Sequence, residues 1–378
     1  MNDPMTIDVL QLAPRQLEPL QLEPRQLEPR QLEPSPPAVA APSSAAANAL
    51  LEQHFSRESL AELLGPESAD LARQLWGAAL EGPVSSFLER PGKAIRAELV
   101  ARSFELAGGQ GPCPPRLCAI VEILHAGSLI IDDIEDGSSS RRGGPALHLS
   151  HGLPIALNAG NWMYFWALGL IEGTTTNLEL EVRLHRWACR TLLRCHHGQA
   201  LDLSANVYLL QQSEVPGVVL AAAELKTGAL MELAAVLGAV AAGAAPELVN
   251  EFACFGRAVG VALQMLDDVG GIVSQRRCHK GHEDLTLGRP TWPWSWLSTD
   301  LSEAQFEELR QQGREIARSQ LHPELVARQL RGLLRGSGRM RVRRHIQQAF
   351  ARLEAAVGPV ATLDDLRAQL QRMEKSYG

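Results

Sequence analysis

Two acidic clusters carry the residue types most suited to chemistry. The first, Asp132-Asp133-Ile134-Glu135-Asp136, follows the largely apolar run Leu124-His125-Ala126-Gly127-Ser128-Leu129-Ile130-Ile131. Residues four apart share a helix face, so Asp132 and Asp136 point the same way with Asp133 nearby. Carboxylates crowded at the end of a core-type helix repel one another unless a cation or solvent relieves them. An all-oxygen donor set suits Mg²⁺, which takes one or two carboxylates, several waters and substrate phosphates. A solvated helix end is the bland alternative for one such cluster. The second, Asp267-Asp268, closes another apolar stretch, Val261-Ala262-Leu263-Gln264-Met265-Leu266, and suggests an opposing wall of one cavity. Basic residues complete the pattern: Lys93 and Arg96 three apart, the Arg141-Arg142 pair, and Lys226 beside Thr227. Carboxylates with Mg²⁺ and a ring of Arg and Lys can hold a diphosphate and stabilise its departure.

The elements that must position these groups read as helices. Leu60, Leu63, Leu64, Leu71, Leu75 and Leu80 recur at helical spacing, and Ala, Leu, Glu and Arg dominate 178–210 and 218–242. Strict alternation is scarce, and there is no Asn-Gly hairpin. Gly and Pro punctuate the runs at Gly111-Pro112, Gly152-Leu153-Pro154, Pro216-Gly217, Pro246 and Pro323. The expectation is an all-α, single-domain bundle of about ten or more helices over 47–378, with the two aspartate-rich helices facing each other across a central cavity. Residues 1–46 differ. The repeat Gln-Leu-Glu-Pro at 16–19, 21–24, 26–29 and 31–34 puts a proline at every fifth position, which matches neither helix nor strand. It reads as a disordered, Pro-rich tail, with a docking role as the alternative.

Composition excludes several classes. The 378 residues are 45% hydrophobic and 21% charged, with a net charge of −7. That supports a packed core and gives no general affinity for nucleic acid. Six cysteines without a CxxC pair read as reduced thiols, and no basic start followed by an apolar run marks a signal peptide. A soluble, cytoplasmic protein is the expectation. His148 with His151, and Cys278, His279 and His282, complete no four-ligand metal site. Trp292, Trp294 and Trp296 read as packing residues. Arg339, Arg341, Arg343, Arg344 and His345 form a basic patch, by default a solvated helix face, with membrane or acidic-partner contact as the minority reading.

The run from His125 to His148 resembles the first aspartate-rich region of the trans-isoprenyl diphosphate synthases, above all the eukaryotic-type geranylgeranyl diphosphate synthases. Pro91-Gly92-Lys93, Asn161 to Phe165, His196 to Asp202, Lys226-Thr227, Gln264 to Asp268 and Glu283 to Gly288 extend the likeness in order over about two thirds of the chain. The resemblance implies the following. Asp132, Asp133, Asp136, Asp267 and Asp268 bind roughly two or three Mg²⁺ ions bridging an allylic diphosphate (dimethylallyl, geranyl or farnesyl). Arg141 and Lys226 hold that diphosphate, while Lys93, Arg96, His125 and Arg142 form the isopentenyl diphosphate pocket. Thr227 and Gln264 line the reacting allyl group, and Gln199 and Asp202 are a polar pair near the metals. Gly127 and Ser128 leave the upper tunnel open, and Tyr164, Phe165 and His196 form its floor, which implies geranylgeranyl diphosphate as product. A homodimer with at most peripheral membrane contact is implied as well. Three departures stand out, one of them the stretch Arg289-Pro290-Thr291-Trp292-Pro293-Trp294, which differs from the usual ending. Gly271 sits where the second motif usually carries an acid or Asn, and the lysine that follows is Lys280 unless His279 takes its place. A class I terpene cyclase and a non-catalytic regulatory subunit are the alternatives.

Overall fold

The computed structural model describes residues 42–275 and 277–376, so the tail reading for residues 1–41 lies outside the described residues. The chain opens with α1 (Pro42–His54), α2 (Arg57–Leu64) and α3 (Pro66–Trp76), and a π-helical turn at Gly77–Glu81 leads into α4 (Gly82–Leu88). Next come α5 (Ile95–Leu106) and α6 (Pro115–Glu135), then a minimal ribbon of β1 (Ser140–Arg141) and β2 (Gly144–Pro145). After α7 (Leu147–His151) the long helices α8 (Leu153–Gly169) and α9 (Leu178–Ser204) run on to α10 (Val215–Ala223). A second π-helical turn, Glu224–Gly228, joins α10 to α11 (Ala229–Ala241), and α12 (Pro246–Val273) follows. The C-terminal part holds α13 (Cys278–Leu287), α14 (Trp292–Asp300), α15 (Glu303–Ala317), α16 (Pro323–Leu334), α17 (Ser337–Val357) and α18 (Ala361–Ser376).

The helical periodicity is thus realised almost throughout, with one departure. The short ribbon forms where no hairpin was expected, because Arg142 (φ 50°) and Gly143 (φ 79°) both take left-handed backbone between Arg141 and Gly144. The helical part also starts earlier than residue 47. Pro42 begins α1 at a position that needs no amide hydrogen, and Ala47 and Leu51 anchor that helix in the core.

Helix α11 is apolar on every side, so only the centre of the bundle can take it. It packs against α5, α9 and α12. Its one carboxylate, Glu232, is 1% exposed and receives Arg194 from α9 at 2.8 Å and Arg257 from α12 at 2.7 Å. A buried charge costs several kcal/mol unless paired, on the order of 3–5 for losing one partner. This pairing therefore ties together α9, α11 and α12, and two of these helices carry polar groups of the site.

Close crossing of α6 and α8 sets the other wall. A β-carbon on Gly127 would fall 2.9 Å from the Gly160 carbonyl, and one on Gly160 would fall 2.8 Å from Ile131 Cδ1. The small size of Gly127 therefore serves helix contact rather than an open tunnel, which corrects the role expected for it.

Candidate active site

A cavity of about 650 Å³ opens between the ends of α6, α9, α10, α12 and α13, and both acidic clusters face it. From α6 come Asp132, Glu135 and Asp136, one helical turn apart. Asp133, a quarter-turn away, does not line the cavity. It is fully buried and held by Arg141, whose Nε donates to its Oδ1 at 2.7 Å. The expected ligand set thus loses Asp133, because consecutive helical residues diverge by roughly 100°.

Asp132 is the hub of the first wall. It accepts from Lys226 Nζ at 2.9 Å and from Gln199 Nε2 at 3.1 Å, with Arg141 at 3.5 Å. Burial pushes its carboxyl up, but Lys226 and Arg141 outweigh burial and hold it below the usual range. Lys226 also donates to Asp202 at 2.8 Å. Burial favours its neutral form, yet the two aspartates keep it firmly protonated. It sits with Thr227 on the π-helical turn, a feature common at functional sites because it rotates side chains out of the regular series. Gln199 spans Asp132 and Glu135, the latter at 2.7 Å.

On the second wall, Thr227 donates to Gln264 at 2.8 Å, and Gln264 donates to Asp268 at 2.8 Å. The Trp292 backbone amide reaches the other Asp268 oxygen at 2.9 Å. Burial, with Asp284 nearby, pushes the Asp268 carboxyl up to about 7. Asp267 accepts from Arg277 and from Lys280, the latter at 3.3 Å, and these cations outweigh burial to keep it ionised. Lys280 rather than His279 therefore makes the carboxylate contact, although both line the cavity.

Lys93, Arg96, His125 and Arg142 line the remaining side. Among the described residues, two of the four non-glycine residues with left-handed backbone lie here: Ala94 (φ 47°), between Lys93 and Ile95, and Arg142 itself. Such conformations cost ~1–3 kcal/mol each and cluster where function demands them. The tight ribbon turn sends adjacent arginines different ways. Arg141 goes to the first acidic wall, and Arg142 lies over the Phe87 ring at 5.7 Å. Burial, then Arg96 and Arg142, push the His125 imidazole well below its ordinary value, so it stays neutral.

Of the three residues expected at the tunnel floor, two face the cavity. Ser128, Tyr164 and His196 line the cavity, and the Tyr164 and His196 rings meet edge-on at 5.6 Å. Phe165 does not: it is 73% exposed, one residue and about 100° around α8 from Tyr164. Residues given no role on the sequence include Arg277, Asp284 and Arg289. Arg289 donates to Asp202 at 3.1 Å and to Asp136, and lies 4.0 Å from Asp284. A basic residue one step after a helix-ending glycine, in a segment that follows two acids, was the available signal.

The donor chemistry fits a hard divalent cation. The acidic walls offer carboxylate oxygens whose partners are amide, ammonium and guanidinium groups. Among the described residues no three side chains form a ready-made ion cage.

An all-helical bundle with two acidic clusters facing one basic-rimmed cavity has the architecture of an isoprenoid synthase. The Lactobacillus brevis geranylgeranyl pyrophosphate synthase structure superposes with a TM-score of 0.68 at 21% identity, over 88% of this chain and 96% of that one. A Caulobacter crescentus polyprenyl synthase, solved with calcium and isoprenyl diphosphate, superposes at 0.62 and 24% identity, over 83% and 96%. The polyprenyl synthetase family model matches residues 78–323, and the chain belongs to that family. It is 34% identical over 219 residues to the Cyanophora paradoxa geranylgeranyl diphosphate synthase, covering 55% of this chain and 71% of that protein. With the Sulfolobus acidocaldarius geranylgeranyl diphosphate synthase it shares 30% over 204 residues, 53% of this chain and 58% of the relative's length.

Proposed function

We propose that this chain is a trans-prenyltransferase joining isopentenyl diphosphate to an allylic diphosphate (dimethylallyl, geranyl or farnesyl), with geranylgeranyl diphosphate as main product. One observation carries the reading: two acidic walls and a separate basic quartet face the same cavity. A protein that only ionised one diphosphate would have no use for the quartet. Mg²⁺, held by Asp132 and Asp136 on one wall and Asp267 and Asp268 on the other, would neutralise the departing diphosphate. Lys226 and Arg141 add fixed positive charge beside it, aimed where negative charge grows as the allylic C–O bond breaks. Lys93, Arg96 and Arg142 hold the isopentenyl diphosphate with its double bond toward the allyl group, and neutral His125 contributes a hydrogen bond without a further charge. Formation of the new C–C bond and loss of one proton complete the condensation, and no side chain serves as a nucleophile. Thr227 and Gln264 fix each other's orientation beside the allyl group. The apolar wall of Leu129, Ile131 and Leu192 excludes water from the cation, and Tyr164 with His196 closes the tunnel.

Three exposed apolar residues on α8, Leu153 and Leu157 four apart and Phe165 eight further on, support a homodimer and give Phe165 a place in its interface. Cytoplasmic location agrees with the unpaired cysteines and with the lack, among the described residues, of any helix long and apolar enough to cross a membrane. Gly271, which leaves the second motif short of one polar side chain, favours a terpene cyclase as the second reading. Incubation with isopentenyl and farnesyl diphosphates and Mg²⁺ decides between them by mass spectrometry. Geranylgeranyl diphosphate supports condensation; a hydrocarbon or alcohol from farnesyl diphosphate alone supports cyclisation. Inertness toward both leaves the regulatory subunit.

A further inference from the structure

The acidic chain carries one strongly basic stretch that the cavity does not use. Residues 325–345 hold seven arginines and no Asp or Glu, although the whole chain has a net charge of −7. They form the end of α16, a left-handed corner at Arg335 (φ 43°) and Gly336 (φ 79°), and the start of α17. Helical spacing sorts them. Val326, Ala327, Leu330, Leu334 and Val342 are buried. Arg335, Arg339, Arg343 and Arg344 are exposed around the corner. Interleaved with them are Leu333, 41% exposed, and Met340, 64% exposed.

The carboxylates that face this region neutralise only part of it. Glu324 takes Arg331 at 2.6 Å, Asp300 on α14 takes Arg341 at 2.7 Å, and Glu374 on α18 takes Arg343 at 2.7 Å. Arg335, Arg339 and Arg344 have no ion-pair partner among the described residues. Unneutralised arginines on a rigid corner, in an otherwise acidic protein, are a local attractive field for anions.

We infer that the α16–α17 corner is a docking surface for an anionic lipid bilayer. The occupant is a membrane rather than an acidic protein because apolar and basic side chains alternate at the tip. Met340 and Leu333 can enter the headgroup boundary while the neighbouring guanidinium groups meet lipid phosphates. The contact is peripheral and reversible, and it lies outside the cavity lining, so it does not depend on which reaction the cavity carries out.

Vesicle co-sedimentation of the full chain tests this directly. Wild-type protein is expected to bind phosphatidylcholine vesicles containing about one third phosphatidylglycerol, to leave pure phosphatidylcholine vesicles unbound, and to be released as salt rises. Replacing Arg335, Arg339 and Arg344 together by Gln should weaken partitioning about a hundredfold, at roughly fivefold per arginine, with vesicle-free turnover unchanged. Met340→Ser should weaken it as well without altering the salt dependence. Equal binding to neutral and anionic vesicles, or no binding to either, overturns the inference on wild-type protein alone. So does a folded triple variant that binds like wild type. Retention on immobilised polyglutamate without vesicle binding overturns it in favour of an acidic protein partner.

Discussion

Gly281 approaches Gly271 so closely that a β-carbon on Gly281 would fall 2.2 Å from the Gly271 carbonyl oxygen. Helix α13 is thereby pressed against α12, and Lys280, one residue earlier, is delivered to Asp267 at 3.3 Å. The glycine that replaces an acid in the second motif is thus a packing contact. A β-carbon on Gly271 would itself stand 3.1 Å from the Gly281 α-carbon. Gly281→Ala should cost about 1–3 kcal/mol or more and lower the melting temperature. Gly271→Asp should destabilise less but still measurably, and should not raise turnover. A Gly281→Ala protein that melts like wild type would show that the two helices separate easily.

Loss of the first-wall carboxylates should remove chemistry while sparing the fold. Asp132→Ala or Asp136→Ala is expected to lower Mg²⁺-dependent turnover at least ~100-fold, since each ~1.4 kcal/mol is a factor of ten. Asp133→Asn should act differently: its carboxylate is buried against Arg141, so melting temperature falls along with activity. Circular dichroism melts beside steady-state rates separate the two classes, and equal effects of Asp132 and Asp133 would discard the distinction.

Substrate requirements should split along the cavity. Lys93→Ala and Arg142→Ala each lose a charged phosphate contact worth about 2–5 kcal/mol. The KM for isopentenyl diphosphate should rise far more than that for the allylic substrate. Parallel increases in both constants would count against separate pockets.

Product length should respond to Tyr164 and ignore Phe165. On the proposed reading Tyr164, edge-on to His196, closes the tunnel, so Tyr164→Ala should release longer prenyl chains. Phe165 points outward, and Phe165→Ala should leave product length unchanged while weakening self-association. Mass spectrometry of products and sedimentation of each variant decide this, and longer chains from Phe165→Ala would return it to the floor.

Asp268 makes the metal-free protein sensitive to pH. Its carboxyl is raised to about 7 by burial and by Asp284. A raised carboxyl binds its proton more tightly in the folded state, so the stability it contributes is full at low pH and is lost as pH rises through about 7. Melting temperature without metal should therefore fall as pH rises from about 4, the ordinary carboxyl value, to about 7 and level off above it, and Asp268→Asn should flatten that fall. Divalent cation affinity should change in the opposite sense, weakening as pH drops below about 7, because the ion must displace the proton. A flat stability profile in wild type would exclude a proton on Asp268 at neutral pH.

How much of this was legible beforehand follows from the range of the forces involved. The all-helical class, the helix breaks and the placing of both acidic clusters on apolar helices are local properties, written in a 3.6-residue period and in Gly and Pro positions; α12 runs on past Asp267 and Asp268 to Val273. The order of the motifs also revealed Lys226, Gln199, Gln264 and the basic quartet as one site. Tertiary packing decided which side of each helix those residues present. Asp133 turns to Arg141 while its neighbour Asp132 turns to Lys226, and Phe165 faces outward while Tyr164 faces in. No periodicity count resolves such neighbours when a helix is apolar on most sides, because only the direction of its partner helices breaks the tie. Arg289 was hidden for a related reason: its bonds to Asp136 and Asp202 join segments far apart in the chain, and only the folded bundle brings them together.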